Sequence, residues 1–194
     1  MIQKFRYYKI YKPYRMLSQF SKVDDKLTLK DLNFHFNKDI YPIGRLDYDS
    51  EGLLLLTNDN KLKTILLDPQ MHHQREYFVQ VDGNITDEAC KQLEKGVFID
   101  GYKTLPAIVK IIPEPTLPER IPPIRFRKNV PTSWISITLV EGKNRQIRKM
   151  TAKVGFPTLR LVRYRILNIT IDNMQPGDVI EVEPKIIKQI LKKA

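Results

Sequence analysis

Residues 41–57 read YPIGRLDYDSEGLLLLT, a stretch in which carboxylates run directly into the most apolar part of the chain. Three acids stand at alternate positions in it: Asp47, Asp49 and Glu51. Gly52 separates them from four consecutive leucines, Leu53–Leu56. A short continuous apolar run bounded by turn residues is typical of a strand buried on both faces. The stretch therefore predicts an acidic turn that leads into a core strand.

The acidic turn has three possible interpretations. Its acids and Gly52 match the opening of a calcium loop, but the twelfth position is Asn58 and not a bidentate Glu. The four leucines would also lie inside a hydrophilic loop, and the chain's histidines and cysteine lack the paired spacing of a zinc site. Asp, Ser and Gly are ordinary turn residues. An ordinary turn and a catalytic carboxylate held over a buried strand both remain open.

The composition indicates the compartment and the kind of partner. A chain of 194 residues with 42% hydrophobic residues is long enough for one domain or two small subdomains with a core. Its net charge of +11 favours a polyanionic partner, nucleic acid before an anionic membrane surface. Cys90 is the single cysteine, so an internal disulfide is excluded. With no signal-peptide pattern and no apolar run near the roughly 20 residues of a membrane span, we expect a cytoplasmic protein.

The hydrophobic pattern along the chain predicts more strands than helices. Strands are predicted at residues 5–11, 53–56, 77–81, 107–112, 134–140, 159–171 and 179–182. Helices are predicted at residues 28–36, 58–67, 86–95, 144–154 and 184–193, with Thr28, Thr86 and Asn144 as N-caps. Because the two kinds of element alternate irregularly, the pattern indicates an α+β fold with a mixed, mostly antiparallel sheet and not a Rossmann fold.

Residues 113–131 read PEPTLPERIPPIRFRKNVP and hold six of the 13 prolines. Proline at that density is incompatible with a helix or a central strand, so a stiff extended loop is predicted. The segment carries four cations: Arg120, Arg125, Arg127 and Lys128. It is either an arm that binds nucleic acid or a plain connector.

A second group of cations lies in EGKNRQIRKM, at Glu141–Met150. These cations are Lys143, Arg145, Arg148 and Lys149. Positive charges in the first turns of a helix oppose the helix dipole, so an anionic partner explains them better than stability does. On the helical wheel Arg148 borders the apolar stripe, a half-buried position where a guanidinium usually meets a carboxylate. Arg145 lies nearly opposite that stripe and should face solvent or phosphate.

Three segments together resemble the RNA pseudouridine synthases of the small-subunit and large-subunit ribosomal RNA type. They are GRLDYDSEGLLLLTND at 44–59, REYFVQV at 75–81 and EGKNRQIRKMTAKVGFPTLRLVRYRI at 141–166. Further matches at 12–20, 104–107 and 122–134 resemble one subgroup of that family. The resemblance covers nearly the whole chain. It implies a single α+β catalytic domain with a mixed, mostly antiparallel sheet flanked by helices, and two subdomains, about 1–75 and 76–194, that share a central cleft.

The resemblance also implies roles for individual residues. Asp47 matches the catalytic aspartate, Tyr77 the tyrosine that lies against the target base, and Arg148 the arginine that pairs with the aspartate. Leu161 matches an apolar residue near the uracil, and Arg45 matches an arginine that contacts RNA around the extruded nucleotide. We expect further RNA contacts from the remaining cations of the two groups: Arg125, Arg127, Lys128, Lys143, Arg145 and Lys149.

The implied reaction moves ribose C1′ from uracil N1 to uracil C5. No atoms are gained and no redox change occurs, so neither a cofactor nor a metal is needed. The target base must leave its stack, which costs a few kcal/mol. An ionised Asp47 either adds to the sugar or takes the 2′ proton, and the sequence leaves both routes open.

The subgroup implies a uridine in domain V of bacterial 23S rRNA as target, and we expect a monomer. Many relatives begin with a small domain similar to ribosomal protein S4. We expect none here, so target choice would rest on the catalytic domain. Two other functions remain possible: a non-catalytic basic factor of ribosome assembly, and a membrane-surface binder. The joint presence of Asp47, Tyr77 and Arg148 disfavours the first, and the lack of a helix with a broad basic face disfavours the second.

Overall fold

The computed structural model describes residues 5–124 and 130–187, which form two compact units. The first unit combines the chain up to His73 with the chain from Arg165 onward, and the second comprises Gln74–Tyr164. The first break between the two units falls between His73 and Gln74. The C-terminal segment, expected in the second subdomain, belongs to the first unit because its strand pairs with the N-terminal strand.

The elements are numbered in chain order. The strands are β1 (Tyr7–Lys12), β2 (Met16–Leu17), β3 (Leu27–Thr28), β4 (Tyr41–Pro42), β5 (Glu51–Thr57), β6 (Arg75–Asp82), β7 (Phe98–Ile99), β8 (Tyr102–Lys103), β9 (Ile108–Ile112), β10 (Thr132–Leu139), β11 (Thr158–Ile166), β12 (Ile169–Thr170) and β13 (Val179–Glu181). The helices are α1 (Asn60–Leu67), α2 (Asp87–Glu94) and α3 (Gln146–Lys153). Short 3₁₀ turns lie at Leu29–Asp31 and Pro69–Met71.

Strand β5 is the centre of the first unit and is buried along its whole length, as the leucine run predicts. It pairs antiparallel with β1, with Lys12 opposite Gly52, and β13 pairs antiparallel with the other edge of β1. Leu54 and Leu56 join a core cluster with Ile10 and Leu29. Full burial of a leucine contributes about 1.5–3 kcal/mol, so the four leucines anchor β5 firmly.

The second unit is built on neighbouring strands in the order β11, β6, β10, β9. The β6–β10 and β9–β10 pairings are antiparallel, whereas the short β2–β3 pairing of the first unit is parallel. Helices α2 and α3 and the antiparallel hairpin β7–β8 complete this unit. The predicted α+β fold with a mixed, mostly antiparallel sheet is confirmed.

The helix predicted at residues 28–36 is wrong beyond its first turn. The predicted cap is present, since the Thr28 hydroxyl accepts from Lys30 N and Thr28 N donates to the Asp31 carboxylate at 2.8 Å. The helical turn nevertheless ends at Asp31. Phe34 and Phe36 then place their rings 4.7 Å apart, at 5.4 and 5.5 Å from the ring of Tyr8. Residues two apart point away from each other on a helix, so aromatic packing excludes the helix here.

The other helix ends differ in how well local sequence predicts them. At α2, Thr86 is the N-cap as predicted, and its hydroxyl accepts from Ala89 N at 3.2 Å. At α3 the predicted N-cap Asn144 is wrong, because Arg145 takes that position in a left-handed conformation with φ of +51°. Residues 184–187 are helical, and the rest of the helix predicted to 193 lies outside the described residues.

The described parts of the proline-rich segment, 113–124 and 130–131, contain no helix and no strand, as predicted. No helix within residues 5–124 and 130–187 has the length and apolar character needed to cross a bilayer.

Candidate active site

In the first unit, the candidate catalytic residue Asp47 lies on a turn that leads into β5. Ser50 N donates to the Asp47 carbonyl at 3.1 Å and closes this turn. Just before the turn, Ile43 N donates to the Leu55 carbonyl at 2.7 Å, which ties the incoming chain to β5. Asp47 is half-buried, while Ser50 is buried. The carboxylate is therefore carried by a main chain that is anchored to a buried strand.

The segment after β1 holds the same turn from its other side. The Ser18 hydroxyl donates to the Leu46 carbonyl at 2.9 Å and accepts from Leu46 N at 3.0 Å. Arg15 N donates to the Tyr48 carbonyl at 2.8 Å. The residues on either side of Asp47 are thus both tied to the stretch Arg15–Ser18. Sequence reasoning missed Ser18, because a lone serine has no periodic or spacing signal.

A fully buried lysine shapes that supporting stretch. Lys12 is the last residue of β1, and its ammonium group donates to the carbonyls of Pro13 at 2.8 Å and Met16 at 2.7 Å. Hydrogen bonds to carbonyl oxygens are what allow a lysine to be buried in this position. The turn that leads from β1 to Ser18 is therefore internally braced.

The remaining acids of the opening stretch differ in exposure. Glu51 is buried as the first residue of β5, whereas Asp49 is half-buried and Arg45 is exposed. Because Glu51–Thr57 is a continuous strand, the stretch is incompatible with a twelve-residue calcium loop.

The second unit carries the residues that sequence predicts to contact the base. Tyr77 lies on β6 opposite Ile137 of β10 and is only 9% exposed. Leu161 is buried on β11, the strand next to β6. Phe78 points to the opposite face of β6 from Tyr77 and stacks on Tyr164 with ring centroids 4.4 Å apart. Tyr77 and Leu161 are thus side chains of two neighbouring, well-packed strands.

Two arginines lie on the strands that carry Tyr77 and Leu161. Arg75 begins β6 and Arg163 is buried on β11. Burial lowers the pKa of the Arg75 guanidinium, the Tyr77 phenol opposes that effect, and the Arg163 cation lowers the pKa further. An arginine keeps its charge despite such shifts. Sequence reasoning did not assign Arg163, although a cation inside the apolar strand TLRLVRYRI was a usable signal.

The helix faces predicted for α3 are confirmed. Arg148 is half-buried and its guanidinium donates to the Thr158 carbonyl at 3.4 Å, whereas Arg145 is exposed. Two of the other cations contact the β7–β8 hairpin. The Lys143 ammonium lies 4.0 Å from the centre of the Tyr102 ring, and Lys149 forms an ion pair with Asp100.

The proline-rich arm is described only in part. Arg120 donates to the Pro122 carbonyl at 2.9 Å, which is a contact within the loop. Three predicted RNA-binding residues lie outside the described residues: Arg125, Arg127 and Lys128.

Comparison with known proteins identifies the class. The family model for RNA pseudouridylate synthases matches residues 6–153. A solved structure described as "Crystal structure of pseudouridylate synthase" shares the fold with a TM-score of 0.79, at 21% identity over 97% of this chain and 75% of that chain. The chain belongs to the RNA pseudouridylate synthase family and is an isomerase of that class.

Individual relatives narrow the class further. The chain is 50% identical over 172 residues to ribosomal large subunit pseudouridine synthase E of Vibrio parahaemolyticus, covering 89% of this chain and 71% of that protein. It is 46% identical over 169 residues to the synthase E of Xanthomonas campestris, covering 86% and 89%. It is 32% identical over 184 residues to synthase B of Bacillus subtilis, covering 95% and 70%. The subgroup that the sequence resembles is synthase E.

Proposed function

We propose that this protein converts a specific uridine of 23S rRNA to pseudouridine, with Asp47 as the catalytic carboxylate. The substrate class is supported by relatives at 46–50% identity that are named as synthases of the large ribosomal subunit. The subgroup resemblance points to a uridine in domain V. On this proposal the protein acts as a monomer in the cytoplasm, where bacterial ribosomes are assembled.

The assignment of Asp47 rests on the hydrogen bonds that hold its turn in place. Ser18 and Arg15 hold the residues on either side of it, and β5 holds the end of the turn. A group that must meet C1′ of an extruded nucleotide needs such a rigid base, since small misplacements cost large factors in rate. Asp47 then attacks C1′ or removes the 2′ proton, and N1 of the uracil leaves in either route.

Tyr77 and Leu161 serve the base itself. Their buried side chains on neighbouring strands offer the apolar surface that an unstacked uracil requires. The Tyr77 hydroxyl is suited to assist removal of the C5 proton after the new bond has formed. Arg148 is the proposed cation that pairs with the Asp47 carboxylate, in keeping with its half-buried position on α3.

RNA binding is assigned to the remaining cations of the predicted site. Arg45 precedes the Asp47 turn and Arg145 is the N-cap of α3, and both are exposed to solvent where phosphates can reach them. Lys143 and Lys149 are further proposed RNA contacts, and so are Arg125, Arg127 and Lys128, which lie outside the described residues. Such phosphate contacts position the RNA but carry no sequence information.

The test compares ribosomal RNA from three strains: one that lacks the gene, and two in which it is restored as wild type or as Asp47→Asn. Chemical mapping of pseudouridine should show one site in domain V of 23S rRNA lost on deletion, regained with wild type and still absent with Asp47→Asn. A site regained with Asp47→Asn would favour a non-catalytic assembly factor. Loss of a pseudouridine in another RNA would refute the proposed substrate.

A further inference from the structure

The loop that precedes α3 is closed by the side chain of Gln146. This side chain is 4% exposed, and its amide nitrogen donates to Glu141 Oε1 at 2.6 Å. Its amide oxygen accepts from Lys143 N at 3.0 Å, and Gln146 N donates back to the Lys143 carbonyl at 3.2 Å. Both the N–H and the carbonyl of Lys143 therefore form hydrogen bonds with Gln146.

This closure determines where α3 begins. Arg145 has φ of +51° and ψ of 32°, a left-handed conformation that costs an arginine about 1–2 kcal/mol. A residue keeps such a conformation only where its surroundings over-determine it. The Arg145 carbonyl accepts from Lys149 N at 3.1 Å and so starts the helical hydrogen bonds. Because Gln146 holds the start of α3, it also determines the directions in which the Arg145 and Arg148 side chains point.

The same loop is attached to the hairpin β7–β8 and the segment that follows it. Glu141 Oε1, which accepts from Gln146, also accepts from Leu105 N at 2.8 Å. The Lys143–Tyr102 and Lys149–Asp100 contacts add two further attachments. The pair Glu141–Gln146 is therefore the point at which the loop, the helix start and the segment after the hairpin meet.

We propose that Gln146 is a positioning residue for the isomerisation, and that it acts through the loop that presents Arg145 and Arg148. This inference rests on the proposed function, because the reaction is the readout. Gln146 touches neither the base nor the sugar on this view. Its contribution is to hold a strained helix start in one conformation while RNA binds.

The hydrogen-bond pattern permits a swap of the two side chains. In Gln146→Glu, two carboxylates face each other where the 2.6 Å contact now lies, and the closure is lost. In the double variant Glu141→Gln/Gln146→Glu, Gln at 141 can donate to Glu at 146, and Glu at 146 still accepts from Lys143 N. The bond from Leu105 N is not rebuilt, because in the wild type it shares Glu141 Oε1 with Gln146.

The experiment measures the single-turnover rate of pseudouridine formation with 23S rRNA at saturation, together with RNA affinity and the free energy of unfolding. We expect Gln146→Glu to lower the saturated rate by roughly 10²-fold, as for a misplaced catalytic group. The double variant should be at least about tenfold faster than Gln146→Glu, because it restores the contact between residues 141 and 146 and the bond from Lys143 N. Gln92→Glu, the same change at an exposed position of α2, serves as the control and should match wild type.

Three results would overturn the inference: a wild-type rate in Gln146→Glu, a folded double variant that stays slow, or an equal loss in Gln92→Glu. If Gln146→Glu does not fold, Gln146→Met removes both polar atoms without adding charge, and a wild-type rate in that variant would likewise overturn it. A wild-type protein that forms no pseudouridine in 23S rRNA would refute the proposed function instead, so the two failures are distinguishable.

Discussion

The Asp47 turn and the loop before α3 present proposed catalytic groups in different ways. At Asp47 the main chain does most of the holding, through Ser50 N to Asp47 O and Arg15 N to Tyr48 O. The Ser18 side chain adds two hydrogen bonds to these main-chain bonds. Before α3, the holding is done by the side chains of Gln146 and Glu141.

This difference has a consequence for substitutions. A turn held by main-chain bonds and a buried strand keeps its shape when the side chain it carries is replaced. A loop held by side chains loses its shape when one of those side chains changes. Substitutions at Asp47 should therefore separate chemistry from folding cleanly, whereas substitutions around α3 should mix positioning with binding.

The largest effect is expected for Asp47→Asn. The saturated single-turnover rate should fall by about 10³-fold or more, as for the loss of an essential catalytic carboxylate. Because Asn preserves the shape of the side chain and the turn is held by its main chain, the free energy of unfolding should change by less than about 1 kcal/mol. Denaturant unfolding measures this change in stability, and an RNA-binding assay checks that affinity is kept. Activity within tenfold of wild type would contradict the catalytic assignment.

The next largest loss of rate is expected for Arg148 of α3, and Arg145, the N-cap of the same helix, is the comparison. Arg148→Met should lower the saturated rate by roughly 10²-fold, since it removes the half-buried cation that is proposed to pair with the Asp47 carboxylate. Arg145→Met should mainly weaken RNA affinity, because an exposed arginine contributes a phosphate contact. Single-turnover rates with RNA at saturation separate the two. Equal losses in rate would mean that the helix faces have been assigned the wrong roles.

A smaller effect is expected for Ser18→Ala. The change removes the hydroxyl that hydrogen-bonds to both the buried N–H and the buried carbonyl of Leu46. Leaving these groups unsatisfied costs about 1–3 kcal/mol of stability. The saturated rate should fall about tenfold, because the turn that carries Asp47 loses one of its supports.

Ser133 offers a matched control for Ser18. Its hydroxyl accepts from Ile85 N at 2.9 Å and donates to the Gly83 carbonyl at 2.8 Å, the same two roles at a turn of the second unit. Ser133→Ala should cost similar stability and leave the saturated rate unchanged. If both variants slow the reaction equally, the effect of Ser18 is on overall stability and not on Asp47.

The smallest effect on the saturated rate is expected for the arm variant Arg125→Ser/Arg127→Ser/Lys128→Ser. If the arm and the α3 loop together neutralise about six phosphates, the slope of log affinity against log salt should lie near −4 to −5. The variant should reduce the magnitude of that slope by about two to three. The saturated rate should barely change. An unchanged slope would show that the arm is a connector, and a collapse of the rate would place it in the active site.

Local patterns predicted most of the elements because the forces that form them act over a few residues. The leucine run predicted β5, the helical wheel predicted the exposures of Arg145 and Arg148, and Thr86 predicted the start of α2. The failures occurred where distant contacts overrode local preference. Aromatic packing around Tyr8 ended the helix predicted after Thr28, and the Gln146 closure moved the start of α3 from Asn144 to Arg145.

By itself, the sequence determined the family, the buried strand beneath Asp47 and the positions of the proposed catalytic residues, because these follow from periodicity and from short motifs. The tertiary structure decided which residues support them. Ser18 reaches Leu46 across 28 positions, and the C-terminal strand β13 returns to pair with β1 in the first unit. Such contacts depend on how the chain returns on itself, and a periodicity of two or 3.6 residues carries no information about that return.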